Sequence, residues 1–419
     1  MTEHDTPAAE HGRARPGPAF APPDGATYAG AMTPFGLTDE QHDLLEVADR
    51  FGRNELLPLA PKMDDDEWWP DDLMARLGAA GLLGATVSEE YGGAGMGLLE
   101  AGLVLQAFSR YNHAFGLSWV AHDNLCTNNV FVNGSDDVRR RFLPKLCSGE
   151  WTGCLGLTEP GAGSDALGSM RTTAVRDGDT YVINGSKLYI TNGPVADVCL
   201  LYAKTTPDAG SKGITAFVVE CDSPGFEVAQ KLVKMGFRGS QTAELRFDDL
   251  VVPAENVLGE VDQGHKIVMS GLDLERAMIA PINVGMAERA LELSVEFAQT
   301  REQFGQPIGA FQMIQSRLAD MYVAVETMRT FCWQVLAECD AIEPGDAGRG
   351  EIHARSAAAV MYAANSCNRV LDDAVQIHGG NGYIWETEIN RLFRGTKLLE
   401  IGAGTTEVRK MIIAGHLLA

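Results

Sequence analysis

The sequence predicts an α+β fold: an N-terminal α-helical domain, a middle β-domain and a C-terminal helical domain. Three observations predict it. Apolar residues keep helical spacing, broken by Gly and Pro, from Thr38 to about Gly149. From Trp151 the chain breaks into short β-rich runs. From Gly264 helical spacing returns. No internal repeat is visible.

Taken in order, residues 1–35 are rich in Ala, Pro, Gly and His without periodicity and read as a disordered leader. Glu3, Asp5 and Glu10 argue against a transit peptide, and an apolar signal core is missing. The helical domain is expected over 36–150. Thr38 with Gln41 forms a capping-box arrangement, and Leu44, Ala48 and Phe51 follow on one face. The β-domain, 151–260, holds the runs Tyr181–Ile183, Val198–Tyr202, Ile214–Val219, Phe226–Val228 and Glu244–Phe247. In the last domain, 261–419, Leu318, Met321, Val325, Met328, Cys332 and Val335 alternate spacings of three and four. That is a bundle-type stripe, and it makes 313–341 one long helix.

A chain of 419 residues is too long for one core. Its 34 basic and 57 acidic residues leave a net charge of −23, which argues against nucleic acid and anionic membrane surfaces. No run of 18 apolar residues exists to span a membrane. Eight cysteines occur singly, so neither a disulfide framework nor a metal site is indicated, and a reduced, cytoplasmic location is expected.

Two segments suggest a flat, phosphorylated cofactor. Leu157-Thr158-Glu159-Pro160-Gly161-Ala162-Gly163-Ser164-Asp165 is a bend of small residues whose backbone N–H groups are unhindered enough to cradle a phosphate. Leu188-Tyr189-Ile190-Thr191-Asn192-Gly193 puts an aromatic ring and a hydroxyl on one strand-like run. The two segments resemble the flavin-contacting stretches of the acyl-CoA dehydrogenase family, and the resemblance runs from about Leu37 to the C-terminus.

That resemblance implies a C-terminal four-helix bundle, FAD between the β-domain and the bundle, and a homotetramer in which a neighbouring subunit holds part of the ADP end. Leu155, Leu157, Thr158, Gly163 and Ser164 would line the isoalloxazine and pyrophosphate, and Tyr189, Ile190 and Thr191 would meet the ring. Tyr189 stands where the family usually has tryptophan. Arg301, Gln303, Phe304 and Gln312 match the segment reaching the ADP half from the second subunit, where an arginine makes a charge-assisted bond to phosphate. Gln376, Ile377, His378, Gly379 and Gly380 match the glycine-rich helix break around the same cofactor, and Thr405, Thr406 and Glu407 would also touch it.

Oxidising an acyl thioester at Cα–Cβ needs a base for the α-proton, and a carboxylate suits this if desolvation strengthens it. Most family members carry that Glu near the C-terminus, in a Tyr-Glu-Gly-Thr stretch. Here the matching stretch is Gly402-Ala403-Gly404-Thr405, so the usual acid is absent, although the Ala403 N–H remains a donor for the thioester oxygen. The alternative carboxylate is Glu275, in Ser270-Gly271-Leu272-Asp273-Leu274-Glu275-Arg276 on the first bundle helix, where isovaleryl-type members of the family carry their base. Glu400 and Glu407 are rivals by proximity. The resemblance further implies that Asp273, Leu274, Arg276 and Gly404 bind the substrate. Ser164, Ser211, Lys212 and Lys266 would contact its CoA part.

Gly402 and Ala403 vacate volume that suits a methyl branch near Cβ. A short branched acyl-CoA such as isovaleryl-CoA is therefore the expected substrate, and the resemblance implies that electrons leave to electron-transfer flavoprotein. Ala280-Pro281-Ile282-Asn283 departs from the isovaleryl-type pattern. Three alternatives stay open: a dehydrogenase of another branched, terpenoid-derived or carrier-protein-bound thioester; an oxidase or flavin monooxygenase of the same fold; and a non-catalytic flavoprotein.

Overall fold

A computed structural model describes residues 36–342 and 350–419, apart from the side chain of Asp273. The leader expected over 1–35 lies outside the described residues. Asp39–Ala419 form one unit.

Its first region comprises α1 (Asp39–Phe51), α2 (Ala60–Asp65), α3 (Leu73–Ala79), α4 (Leu98–Val120), α5 (Asn129–Asn133) and α6 (Asp136–Ser148). Gly149 adopts φ +72° and ends α6, as a left-handed C-terminal glycine does. Between α4 and α5 the helix widens to a π turn, Ala121–Asn128, in which every residue but Leu125 is buried.

An eight-stranded sheet follows: β1 (Gly153–Gly156), β2 (Thr173–Asp177), β3 (Thr180–Thr191), β4 (Val198–Lys204), β5 (Ile214–Glu220), β6 (Phe226–Lys231), β7 (Thr242–Pro253) and β8 (Val257–Leu258). The order is β6-β7-β3-β2-β4-β5-β8, with β1 parallel to β4. β4 shows why this sheet has two cores. Val198, Leu200 and Tyr202 join one buried cluster with Val130, Phe142, Ile267 and Val268, while Cys199, Leu201 and Ala203 join another with Ile183, Leu245 and Phe247. The alternation is the period of two expected of a strand buried on both faces.

The last region comprises α7 (Gly264–Thr300), the small hairpin β9 (Glu302–Gln303) and β10 (Gln306–Pro307), then α8 (Gln312–Asp340), α9 (Glu351–His378), α10 (Gly380–Tyr383), α11 (Glu388–Leu399) and α12 (Thr406–Leu417). α8 bears out the long helix expected over 313–341. α4 and α7 pack along their lengths into one core that also takes α8 and α9. The approach is close because Gly285 lies against the Gln106 carbonyl, where an added Cβ would sit 2.2 Å from the oxygen. No helix among the described residues is long and apolar enough to cross a membrane.

Candidate functional site

Three pieces of chain build the site. The first is the 157–172 loop, fastened to β3. Leu188 donates its N–H to the Thr158 carbonyl at 2.8 Å. The Lys187 ammonium donates to the Leu157 carbonyl at 3.1 Å and to Glu159 at 2.8 Å. Glu159 also accepts from the N–H groups of Arg171 and Thr172. Gly161, Gly163 and Ser164 lie exposed on the outside of this turn, and a Cβ added at either glycine would meet nothing within 4 Å.

Immediately after Lys187 the β3–β7 register slips, so that Lys187 opposes Leu245 but Ile190 opposes Ala243. In this bulge Tyr189 takes φ +63° and is 66% exposed. Bulges re-aim side chains next to functional sites, and left-handed backbone at a non-glycine residue is a cost that its surroundings must sustain. Ile190 turns back into the core and Thr191 is half-buried. An exposed ring, an open glycine turn and the hydroxyls of Thr158, Ser164 and Thr191 suit a planar phosphorylated group such as a flavin nucleotide.

The second piece is the start of α7. Leu155, Leu157 and Leu272 pack against the same buried cluster, which places this part of α7 on the sheet face reached by β1. Glu275, half-buried one turn further on, is close enough to act electrostatically on the buried Tyr202 phenol. Burial pushes the Glu275 carboxyl up to about 7, against the opposing pull of Arg276 and Arg409. Leu274 is half-buried, and the side chain of Asp273 lies outside the described residues.

The third piece is the turn between α11 and α12. Arg276 Nε donates to the Ala403 carbonyl at 3.3 Å. Arg409, fully buried on α12, donates to the carbonyls of Leu399 and Gly402. Ala403 takes φ +54° and Gly404 φ +93°, and the Thr405 hydroxyl caps α12 by accepting from Val408 N–H. The rival carboxylates are otherwise engaged. Glu400 accepts from Asn368 and Lys397. Glu407 is exposed in the first turn of α12, where backbone and Thr405 hydrogen bonds hold its carboxyl below the usual range. Thr406 is half-buried and its N–H donates to the Glu400 carbonyl.

The structure thus joins the glycine turn to Tyr189 and Thr191, and joins Glu275 and Arg276 to Ala403 and Gly404. Arg301, Gln303, Phe304 and Gln312 fall elsewhere on this chain, all exposed on and beside the β9–β10 hairpin, where Phe304 touches Phe311. His378 stacks on Phe297 with ring centroids 4.4 Å apart, which sets Gln376–Gly380 beside the end of α7 that leads into this hairpin. Ile377 is buried, while Gly379, at φ +57°, and Gly380 are exposed. Ser211 and Lys212 sit in the 3₁₀ turn Pro207–Gly213, which packs against α7, whose first turn exposes Lys266.

Sequence reasoning passed over Lys187, Glu159 and Arg409. The first two were visible inside the quoted motifs, but nothing local signals that they meet. Arg409 reads as one more basic residue on a terminal helix.

Fold and site together define a flavin-dependent oxidoreductase acting on CH–CH groups. The chain belongs to the acyl-CoA dehydrogenase family: the family's N-terminal, middle and C-terminal domain models match residues 38–150, 154–250 and 262–418. It is 43% identical over 393 residues to a mitochondrial isovaleryl-CoA dehydrogenase of Solanum tuberosum, covering 93% of each chain. A mitochondrial 2-methylacyl-CoA dehydrogenase of the same plant is 42% identical over 393 residues, again 93% of each. Among solved structures, butyryl-CoA dehydrogenase from Megasphaera elsdenii superposes with a TM-score of 0.87 at 38% identity, covering 92% of this chain and 100% of that one.

Proposed function

We propose that this enzyme desaturates a short branched acyl-CoA, converting isovaleryl-CoA to 3-methylcrotonyl-CoA, and passes the electrons to electron-transfer flavoprotein. The observation that carries the reading is the pairing of Glu275, whose carboxyl burial raises to about 7, with a terminal turn that offers Ala403 instead of an acid. A carboxylate of that basicity is a competent base near neutral pH. Glu275 takes the α-proton and is left protonated. The Ala403 N–H and the neighbouring guanidinium of Arg276 stabilise charge developing on the thioester oxygen. FAD held by the glycine turn and the Tyr189 strand would supply the acceptor for the hydride that leaves Cβ.

Leu155, Leu157, Thr158, Gly163, Ser164, Tyr189, Ile190 and Thr191 would hold the flavin ring and pyrophosphate. The exposed Arg301, Gln303, Phe304 and Gln312, with Gln376–Gly380 and Thr405–Glu407, would hold the ADP half across a homotetramer interface. Exposure of the hairpin in a single chain suits that role. Lys212 and Lys266 would meet CoA phosphates as point charges. The cysteines are thiols and not disulfides, which suits a reducing compartment such as the cytoplasm. The 36–150, 151–260 and 261–419 domain limits belong to the same proposal.

The 2-methylacyl relative makes the position of the branch the open comparison. Anaerobic titration of the holoenzyme with isovaleryl-, 2-methylbutyryl-, butyryl- and octanoyl-CoA, followed by flavin absorbance, tests the reading. Preferential bleaching by isovaleryl-CoA is expected. Faster bleaching by 2-methylbutyryl-CoA would move the branch, and bleaching by none would refute this substrate class.

A further inference from the structure

We propose that the Glu159–Lys187 ion pair is a positioning device for the cofactor, setting the distance between the Pro160–Ser164 turn and the Tyr189 ring. The proposal rests on the reading that these two elements hold the flavin.

The pair is among the most enclosed charges in the molecule, with side chains 4% and 0% exposed. A buried ion pair is weak evidence for stability, because well-packed apolar residues often do as well. Its specific bonds say more. Lys187 Nζ ties the Leu157 carbonyl at the start of the loop. Glu159 ties the N–H groups of Arg171 and Thr172 at its end, at 2.6 and 3.0 Å. One charge pair therefore closes both ends of the segment that presents Gly161, Gly163 and Ser164, and every charge-assisted bond is to a partner inside it. Burial pushes the Glu159 carboxyl up, but Lys187 and Thr172 outweigh it and hold it below its ordinary value, while burial pulls the Lys187 ammonium down to about 8 against the opposing pull of Glu159.

Placement along β3 links this clamp to the ring. Lys187 is the last residue before the bulge, Leu188 bonds Thr158, and Tyr189 follows in its left-handed conformation. Moving the ammonium would shift the loop and the bulge relative to each other. The pair touches no open surface, so its influence on a ligand runs through the turn and Tyr189.

The test uses flavin-stripped full-length chain, titrated with FAD by fluorescence quenching, with apoprotein melting measured alongside. Removing both charges in Glu159→Gln/Lys187→Met avoids a lone buried ion. The double variant is expected to keep an apoprotein Tm within about 5 °C of wild type. Its FAD Kd should rise tenfold or more, with altered fine structure in the bound-flavin spectrum. Lys187→Arg keeps the charge but changes its reach, and is expected to fold normally with a Kd raised about threefold or more. Wild-type Kd and spectrum in Lys187→Arg, or in a folded double variant, overturn the proposal. So does a loss of affinity that merely tracks a loss of apoprotein Tm. Failure of wild-type apoprotein to take up FAD at all would instead defeat the underlying flavin reading, and the pair's role with it.

Discussion

Arg276 Nε reaches the carbonyl oxygen of Ala403 at 3.3 Å, across 127 residues of sequence. The residue following the candidate base is thereby anchored to the turn between α11 and α12. Arg276 thus ties the helix that carries Glu275 to the α11–α12 turn that carries Ala403, and the first prediction concerns this junction. Glu275→Gln should retain FAD and fold, because it removes a charge that burial disfavours. Flavin reduction by substrate should fall by about 10²- to 10⁴-fold, the range for loss of a general base. Stopped-flow reduction at saturating thioester measures this, and an active variant would return the role to another carboxylate.

The raised carboxyl makes activity pH-dependent. With the Glu275 carboxyl at about 7 instead of 4.5, the base is protonated below neutrality, so the second-order rate of flavin reduction should rise with pH and level off above about 8. Stability runs the other way. A group whose folded pKa exceeds its unfolded value favours the fold while protonated, and that contribution is lost as pH rises through about 7. The difference in Tm between wild type and Glu275→Gln should therefore widen from pH 5.5 to 8.5, and a constant difference would contradict the assignment.

Arg409 should prove structural and functional together. It is buried, and its donors satisfy the carbonyls of Leu399 and Gly402. Arg409→Met would strand these acceptors at a cost of about 1–3 kcal/mol. It would also free the Gly402–Gly404 turn and remove a positive charge that restrains the Glu275 carboxyl. The expected result in urea unfolding and in the pH–rate profile is lower stability with an apparent base pKa moved upward. A pKa unchanged in a folded variant would show that Arg409 only braces the turn.

The close approach of α4 and α7 gives a prediction remote from the chemistry. In a helix interior, Gly→Ala ordinarily gains about 1 kcal/mol. At Gly285 the new Cβ would stand 2.2 Å from Gln106 O and 2.8 Å from Arg110 N, both backbone atoms. Overpacking of this kind costs about 1–3 kcal/mol, so the clash wins and Gly285→Ala should lower stability. Gly415→Ala, in α12 with nothing within 4 Å of its Cβ, should be neutral or stabilising in the same assay.

Much of the architecture was legible because periodicity is a local property. The run Leu318 to Val335 marked α8, and the β-rich run Val198 to Tyr202 marked β4. β1 and β2 escaped because Gly153–Gly156 carries two glycines in four residues and Thr173–Asp177 exposes three of its five residues, so neither shows a clear apolar alternation. The glycine turn, Tyr189, Glu275 and Ala403 were also readable, since each lies in a recognisable short motif.

By itself the sequence determined which chemical groups are available: a small-residue turn, an aromatic strand, Glu275 on a helix and Ala403 in the terminal turn. Tertiary structure decided what those groups become. Whether a carboxylate is a strong base depends on desolvation and on charges brought from distant elements. That is why Glu275 stands apart from Glu400, which Asn368 and Lys397 engage, and from the exposed Glu407. The pairing of Lys187 with Glu159, and of Arg276 and Arg409 with the Leu399–Ala403 carbonyls, likewise exists only once strand, loop and helices have packed. Hydrogen-bond partners 28 or 127 residues apart leave no local pattern to read.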